Sequence, residues 1–355
     1  MNSKKKILSL LLALVLVFSL VACGKDNKPG TDSGTTGTGE KKTIGVLLYN
    51  GSDPYIGTVR QAMEDIAAKD DSIELDIQDA QENQATQNDQ LDALVAKNVD
   101  ALLINIVDFG AADQVIEKVK QAKVPAVFFN RDITKNLTTE DLDQMIFFGT
   151  DAPQAGVYQG EIAYENWKAS GDKNKDGKLQ YVTLHGGLDN AEAIARTDES
   201  AKVFTDNNVE IEQLDMNVAN WEQNKAKDAM DAWISRFGDQ IEVVFANNDG
   251  MALGALTALQ AAGYNTVDAD GNINPDKYIA VYGVDATADA VEKVKTGELT
   301  GTVRQSNTTM AEGTLALIKN KLAGKDWTDG TDFKIFEKDN VSVRMDHEKV
   351  TKDQN

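Results

Sequence analysis

IEVVFANNDGMALGAL, residues 241–256, contains an apolar run, Val243–Ala246, short enough for a buried parallel strand. Glu242 stands at the start of that run, and Asn247, Asn248 and Asp249 follow its end. After Gly250, the residues Met251, Leu253, Leu256 and Leu259 recur as the buried face of a helix. The order is strand, polar turn, helix. The turn lies at the carboxyl end of the strand, where open α/β sheets bind their ligands. Roughly 20 Å of extended chain separates Glu242 from Asn248, so a single strand carries polar chemistry at both ends.

Strand–helix alternation continues on either side. Thr43–Tyr49, Ile73–Ile77, Ala101–Val107 and Val124–Phe129 read as strands, with helices at Ile56–Ala68, Asn83–Lys97 and Ala111–Ala122. Asp132–Asp143 is polar and loop-like. The pattern then resets with a strand at Met145–Gly149, a helix at Pro153–Ser170, and strands at Gln180–Leu184, Glu210–Leu214, Val243–Ala246, Ile279–Tyr282 and Leu299–Val303. Thr308–Leu322 reads as a helix, and Phe333–Phe336 and Asn340–Val343 as paired or edge strands. The expected fold class is α/β, with two lobes joined by a hinge, each a mostly parallel sheet flanked by helices. The N-terminal lobe is expected over 43–130 plus about 305–332, and the C-terminal lobe over 131–304 plus about 333–350.

Residues 1–22 stand apart from the fold. Lys4, Lys5 and Lys6 precede an almost unbroken apolar run, Ile7–Val21, which reads as a secretion signal peptide and not a membrane span. The run ends Leu20-Val21-Ala22-Cys23, which resembles a bacterial lipobox. That likeness implies a lipid on Cys23 and an anchor on the extracytoplasmic face of the cell membrane. Residues 23–42, rich in Gly, Thr, Ser, Asp and Lys, cannot bury apolar surface and read as a flexible tether. Cys23 is the only cysteine, which leaves no disulfide framework and no cysteine-based metal site. The formal charge is −21 for 355 residues, and −24 once the three leader lysines are taken away. A surface this acidic argues against nucleic acid or anionic lipid as partner.

Asp172-Lys173-Asn174-Lys175-Asp176-Gly177-Lys178-Leu179-Gln180 fits the opening of a calcium-binding loop. Oxygen side chains stand at loop positions one, three and five (Asp172, Asn174, Asp176), and Gly177 at six, where the chain must turn sharply. Lys178 at seven contributes only its carbonyl, and Gln180 supplies oxygen at nine. Thr183 stands where a bidentate acid is needed, and Glu242 is the candidate to supply it from elsewhere. Such a donor set suits structural Ca²⁺ better than Mg²⁺; the same composition is also that of an ordinary polar surface loop.

Asp172–Gln180 with the distant Glu242, Ala246–Asp249 (ANND), Tyr282–Asp285 (YGVD), Trp221, Gln87–Gln90 (QNDQ) and Lys227–Trp233 (KDAMDAW) together resemble the periplasmic galactose/glucose-binding proteins. These are sugar receptors of ABC importers with the type I periplasmic-binding-protein fold. The likeness runs from about Ile44 to about Val343. It implies a monosaccharide ligand, an ABC permease as partner, a monomer, and binding without catalysis; no acid–base pair of defined spacing is visible. It places Asp53, Tyr55, Asn105, Asn190, Glu192, Arg196, Trp221, Asn248, Asp285 and Gln305 around the sugar. Asn190, Glu192 and Gln305 stand where the family has His, Asp and usually Asn. The resemblance also leaves open a receptor for another aldose, or a sugar-sensing partner of a chemoreceptor or sensor kinase.

Asp, Asn and Arg groups pair hydroxyls two at a time, while Tyr55 and Trp221 would clamp the apolar faces of the ring from opposite lobes. Several of these residues have a second reading. Asp53 and Asn190 serve equally as helix caps, Asp249 as the cap of the helix from Gly250, and Arg196 as the partner of Asp198 or Glu199. Asn105 lies within an apolar strand, where a buried amide requires a partner.

Overall fold

A computed structural model describes residues 41–170 and 172–354; the leader, Cys23 and the tether up to residue 40 lie outside them. The first lobe begins with β1 (Lys42–Leu48), α1 (Pro54–Ala67), β2 (Ile73–Asp79), α2 (Gln84–Ala96), β3 (Ala101–Ile104), α3 (Ala112–Ala122), β4 (Ala126–Phe129) and β5 (Met145–Thr150). The chain then enters the second lobe with α4 (Ala152–Ser170), β6 (Lys178–His185), α5 (Ala191–Asp206), β7 (Glu210–Val218) and α6 (Gln223–Phe237). β8 (Val243–Ala246), α7 (Asp249–Ala261), β9 (Ala280–Tyr282), α8 (Ala288–Thr296) and β10 (Gly301–Arg304) complete that run. It returns to the first lobe for α9 (Asn307–Leu322) and β11 (Ser342–Met345), and crosses a third time into β12 (Glu348–Thr351).

Each lobe is built on a six-stranded sheet, ordered β11-β5-β4-β3-β1-β2 in the first and β12-β10-β9-β8-β6-β7 in the second. Every pairing in the first sheet is parallel, and in the second only β12 runs antiparallel, against β10. The strands are apolar on both faces because helices cover both. In β4 and β5, Val127, Phe129, Ile146 and Phe148 enter one core, while Ala126, Phe128, Met145 and Phe147 enter the other. Val243–Ala246 of β8 is buried throughout, between α6 and α7 on one side and α4 and α5 on the other.

Three expectations are corrected here. The first crossing follows Thr150, not Asn130: β5 pairs in register with β4 (Ala126 opposite Met145) and so belongs to the first sheet. β11 likewise pairs with β5, so of the final segment only β12 joins the second lobe. Phe333–Phe336 is not a strand. It touches the following segment through the single bridge Ile335–Val343 and the bond from Phe336 N to Ser342 O at 2.7 Å.

Six of the helices that follow strands start on side-chain caps, whereas α3 and α6 have none. Asp53 accepts from Ile56 N ahead of Pro54, and Asn83, Asn190, Asn248, Thr287 and Ser306 cap α2, α5, α7, α8 and α9. The cap of α7 is Asn248 and not Asp249; Asp249 is the first helical residue and is fully buried.

Candidate ligand-binding cleft

The carboxyl ends of the two sheets face a common cleft. It is lined from the first lobe by Tyr49, Asp53, Tyr55, Ile56, Asn130 and Arg131, and from the second by Asn190, Glu192, Arg196, Trp221 and Asp285, with Gln305 at the second crossing. Eight of the ten expected residues are therefore brought together, Tyr55 and Trp221 among them.

Asn105 and Asn248 do not line the cleft. Asn105 is fully buried and ties three strand ends together: its Oδ1 accepts from Tyr49 N at 3.3 Å, and its Nδ2 donates to Phe129 O and Asn130 Oδ1, both at 3.2 Å. Its amide is satisfied by protein, so its role is to hold Tyr49 and Asn130 in place. Asn248 Oδ1 accepts from Met251 N at 2.9 Å, and its Nδ2 reaches Trp221 O at 3.4 Å, steadying the backbone that presents the indole.

Asn130 and Arg131 were not anticipated. Asn130 ends β4 with φ +63°, and that left-handed turn sends the next residues along the cleft wall. The Arg131 guanidinium lies 4.5 Å above the Tyr49 ring and 4.6 Å from the Phe109 ring, and donates to Val107 O at 3.0 Å. Position just past a strand's carboxyl end was the available signal for both.

Arg196 is no surface ion pair. It is 4 % exposed, donates through Nη1 to Asn247 O at 2.8 Å and through Nη2 to Gln305 Oε1 at 2.9 Å, and lies 5.8 Å from the Trp221 ring. Trp221 rests on Gly186, where a Cβ would come within 2.3 Å of the indole, so only glycine allows this approach. Asp53 shares its carboxylate between the α1 cap and the Tyr49 hydroxyl at 2.6 Å. Asn190 Oδ1 accepts from Ala193 N at 3.0 Å as a cap, and its side chain also borders the cleft. Glu192 Oε1 accepts across the lobes from Asp132 N at 3.2 Å.

Buried polar atoms in this cleft outrun their protein partners: Glu192 Oε2, Arg131 Nε and Arg196 Nε make no hydrogen bond. Burial pushes the Glu192 carboxyl up, with Asp132 adding to the effect and Arg196 opposing it. Burial also raises Asp285 well above the carboxylate range, against the pull of Arg196 and with the help of Asp249 and Asp53. Asp249 sits behind Asp285, accepting from Thr302 Oγ1 at 2.6 Å and Thr287 N at 2.7 Å, and so braces the turn that carries Asp285 at φ +124°. Three carboxylates and two guanidiniums face one another here, planar groups of both signs that can hold hydroxyls.

Residues 44–326 match the family described as periplasmic binding protein domain. The chain is a periplasmic binding protein. This binding protein is 36 % identical over 313 residues to the D-galactose/methyl-galactoside binding periplasmic protein MglB of Haemophilus influenzae, covering 87 % of this chain and 89 % of that one. It is 27 % identical to the ribose import binding protein RbsB of Bacillus subtilis, over 85 % of this chain and 88 % of that one. Among solved structures it resembles an ABC transporter solute binding protein from Bacillus halodurans with bound myo-inositol (TM-score 0.72, 26 % identity, 90 % of this chain and 97 % of that one). The fold is that of type I periplasmic binding proteins, and the family consists of solute receptors without enzymatic activity.

At the other end of β8, the loop over 172–180 is wound on its own oxygens. Asp172 accepts from Lys175 N at 2.7 Å and Gly177 N at 2.5 Å, Asn174 from Asp176 N at 3.0 Å, and Asp176 from Lys178 N at 3.0 Å. Gly177 turns at φ +87°. Lys178 points away to Glu210 at 3.2 Å, and the Gln180 side chain meets Asn174 at 2.6 Å. Glu242 accepts from Lys173 N at 2.9 Å and Gln180 N at 3.0 Å. Burial raises its carboxyl, and the charges of Asp172 and Asp176 push the same way. Three like charges around one loop suit a divalent cation, although among the described residues no group of three His, Cys, Asp or Glu is drawn to metal-binding distance.

The third crossing gives a pH prediction. His347 is 3 % exposed; its backbone N–H donates to Gln154 Oε1 at 2.7 Å and its ring Nδ1 lies 3.2 Å from the same oxygen, and burial, with the Arg196 charge, pushes the imidazole down to about 3. Unfolded, it titrates near about 6.5. As pH falls from about 6.5 towards 3 the unfolded chain takes up a proton that the folded one refuses, so stability falls by up to about 1.4 kcal/mol per unit. Asp249 works in the opposite sense. Burial raises its carboxyl, so its ionisation costs stability as pH rises past the ordinary carboxylate range. Denaturant unfolding of His347→Asn beside the parent isolates the histidine: the loss between pH 6.5 and 5 is expected to shrink by roughly 1–2 kcal/mol. An unchanged difference would refute this account.

Proposed function

We propose that this protein is a lipid-anchored extracytoplasmic receptor that binds a monosaccharide, with glucose or galactose preferred, and delivers it to an ABC permease. One observation carries the reading: Tyr55 of the first lobe and Trp221 of the second converge on a cleft whose other walls are mostly planar hydrogen-bonding groups. A pyranose has apolar faces for the aromatics and a rim of hydroxyls for Asp, Asn and Arg, each of which would cost about 1–3 kcal/mol if buried unpaired. Contacts from both lobes make the closed form the one the sugar stabilises. The identity to MglB of Haemophilus influenzae supports galactose.

Another aldose or a cyclic polyol is the second reading. Glu192, one methylene longer than Asp, leaves Oε2 unpaired in the cleft, and the Bacillus halodurans relative holds myo-inositol. Calorimetry against glucose, galactose, xylose, arabinose, ribose and myo-inositol separates the two. Trp221 fluorescence is expected to change on glucose or galactose, and silence in both fluorescence and heat for every compound would overturn the reading.

The reading includes structural Ca²⁺ on Asp172, Asn174, Asp176, the Lys178 carbonyl, Gln180 and Glu242. Calcium relieves the mutual repulsion of the three acids and pins the loop to the start of β8. Calcium is expected to raise the melting temperature of the parent over that in chelator, and Glu242→Gln to lose most of that gain while still binding sugar. Equal melting with calcium and chelator in the parent would remove the metal. The anchor at Cys23 rests on the Leu-Val-Ala-Cys ending; Cys23→Ser is expected to move the protein from the membrane fraction to the medium.

A further inference from the structure

We propose that the second lobe carries a separate binding site, at the far end of its sheet from the cleft, for a small neutral ring compound bearing a hydrogen-bond acceptor. A cavity lies against the amino ends of β8, β9 and β10. Trp167 of α4, Tyr278 and Tyr282 form its aromatic walls, with Val243 and Ala280 between them. Aromatic and apolar walls with a few polar atoms are the lining of a small-molecule pocket.

Two polar atoms there lack partners. The Trp167 indole Nε1 is buried without a hydrogen bond, and so is the Tyr282 hydroxyl on a side chain that is 1 % exposed. Asn166 and Thr300 lie beside that hydroxyl without closing a bond of ordinary length. Thr300 Oγ1 is engaged instead by Val281 N at 2.9 Å and the Tyr278 hydroxyl at 2.8 Å.

An indole N–H can only donate, so a molecule that satisfies it must bring an acceptor. The charged groups at the mouth, Lys173 and Glu242, are of opposite sign and attract each other, while Lys173 Nζ donates to Tyr278 O and the Glu242 carboxylate accepts from two backbone N–H groups. The pair offers no net charge to an ionic ligand, and the aromatic walls favour a flat ring. The site stands whether or not the cleft takes a sugar.

The test is a titration of para-fluorophenol into the full-length protein, followed by fluorine NMR, with fluorobenzene as the same ring without oxygen. The expected result is saturable binding of para-fluorophenol that saturating glucose does not displace, with fluorobenzene about tenfold weaker. Trp167→Phe keeps an aromatic ring but removes the N–H, and is expected to weaken the phenol by about tenfold. Tyr282→Phe removes only an unpartnered hydroxyl. It is expected to melt no lower than the parent and to bind the phenol more weakly, and it decides the matter if Trp167→Phe does not fold. Absence of saturable binding, equal affinity for fluorobenzene, displacement by glucose, or parent-like affinity in the folded variants would each overturn the proposal.

Discussion

Arg196→Met is expected to lower affinity for the preferred sugar by about a hundredfold or more while leaving a folded protein. The guanidinium is buried, spans Asn247 O and Gln305 Oε1, and keeps Nε unpaired in the cleft. A charge-assisted hydrogen bond is worth about 1.5–3 kcal/mol. Loss of the bonds that position Gln305 and the crossing behind it adds to that. Methionine fills much of the space and removes the buried cation, but it leaves Asp285 without the opposing charge of Arg196. The Asp285 carboxyl should then rise further, so the residual affinity should fall less steeply in acid than it does in the parent. Calorimetry at two pH values reads both effects. A variant that binds within threefold of the parent would show that Arg196 braces the fold and does not hold the ligand.

Gly254→Ala should be the most damaging single methyl group in the second lobe. A Cβ at Gly254 would lie 2.2 Å from Gln223 O and 3.1 Å from Lys227 N, backbone atoms of α6 that cannot swing aside. The small residue lets α6 and α7 approach closely, and overpacking such a seam costs about 3 kcal/mol. For about 310 folded residues that is a fall in melting temperature of roughly 5 °C, measured by calorimetry without sugar. The contrast with Gly186 is instructive. There the nearest atoms belong to the Trp221 ring, which can rotate away, so the same methyl group would be felt in binding more than in stability.

The strands and helices were legible because each buried run stands between polar caps, and both signals are local. Val243–Ala246 is the observed β8 to the residue. Sheet membership was not legible. Met145–Thr150 is apolar on both faces whichever sheet it joins, and only its pairing with β4 places it in the first lobe. Asn105 and Asn130 show the same limit at the site. Both are amides at the ends of apolar strands, yet Asn105 is consumed by backbone partners, and Asn130 reaches the cleft through a left-handed turn that composition does not encode. Residues whose side chains meet across the lobes, such as Glu192 with the Asp132 amide, were visible only as departures from a pattern.

β11 and β12 lie on either side of the third crossing and occupy the outer edge of one sheet each. Both come after every other described strand in the chain, so both sheets depend on the same short segment to cover an outer hydrogen-bonding rim. A message cut short before codon 342 would yield a chain with two raw strand edges, β5 and β10, ready to pair with neighbours. Loss of that one segment should therefore send the whole product to proteolysis or aggregation.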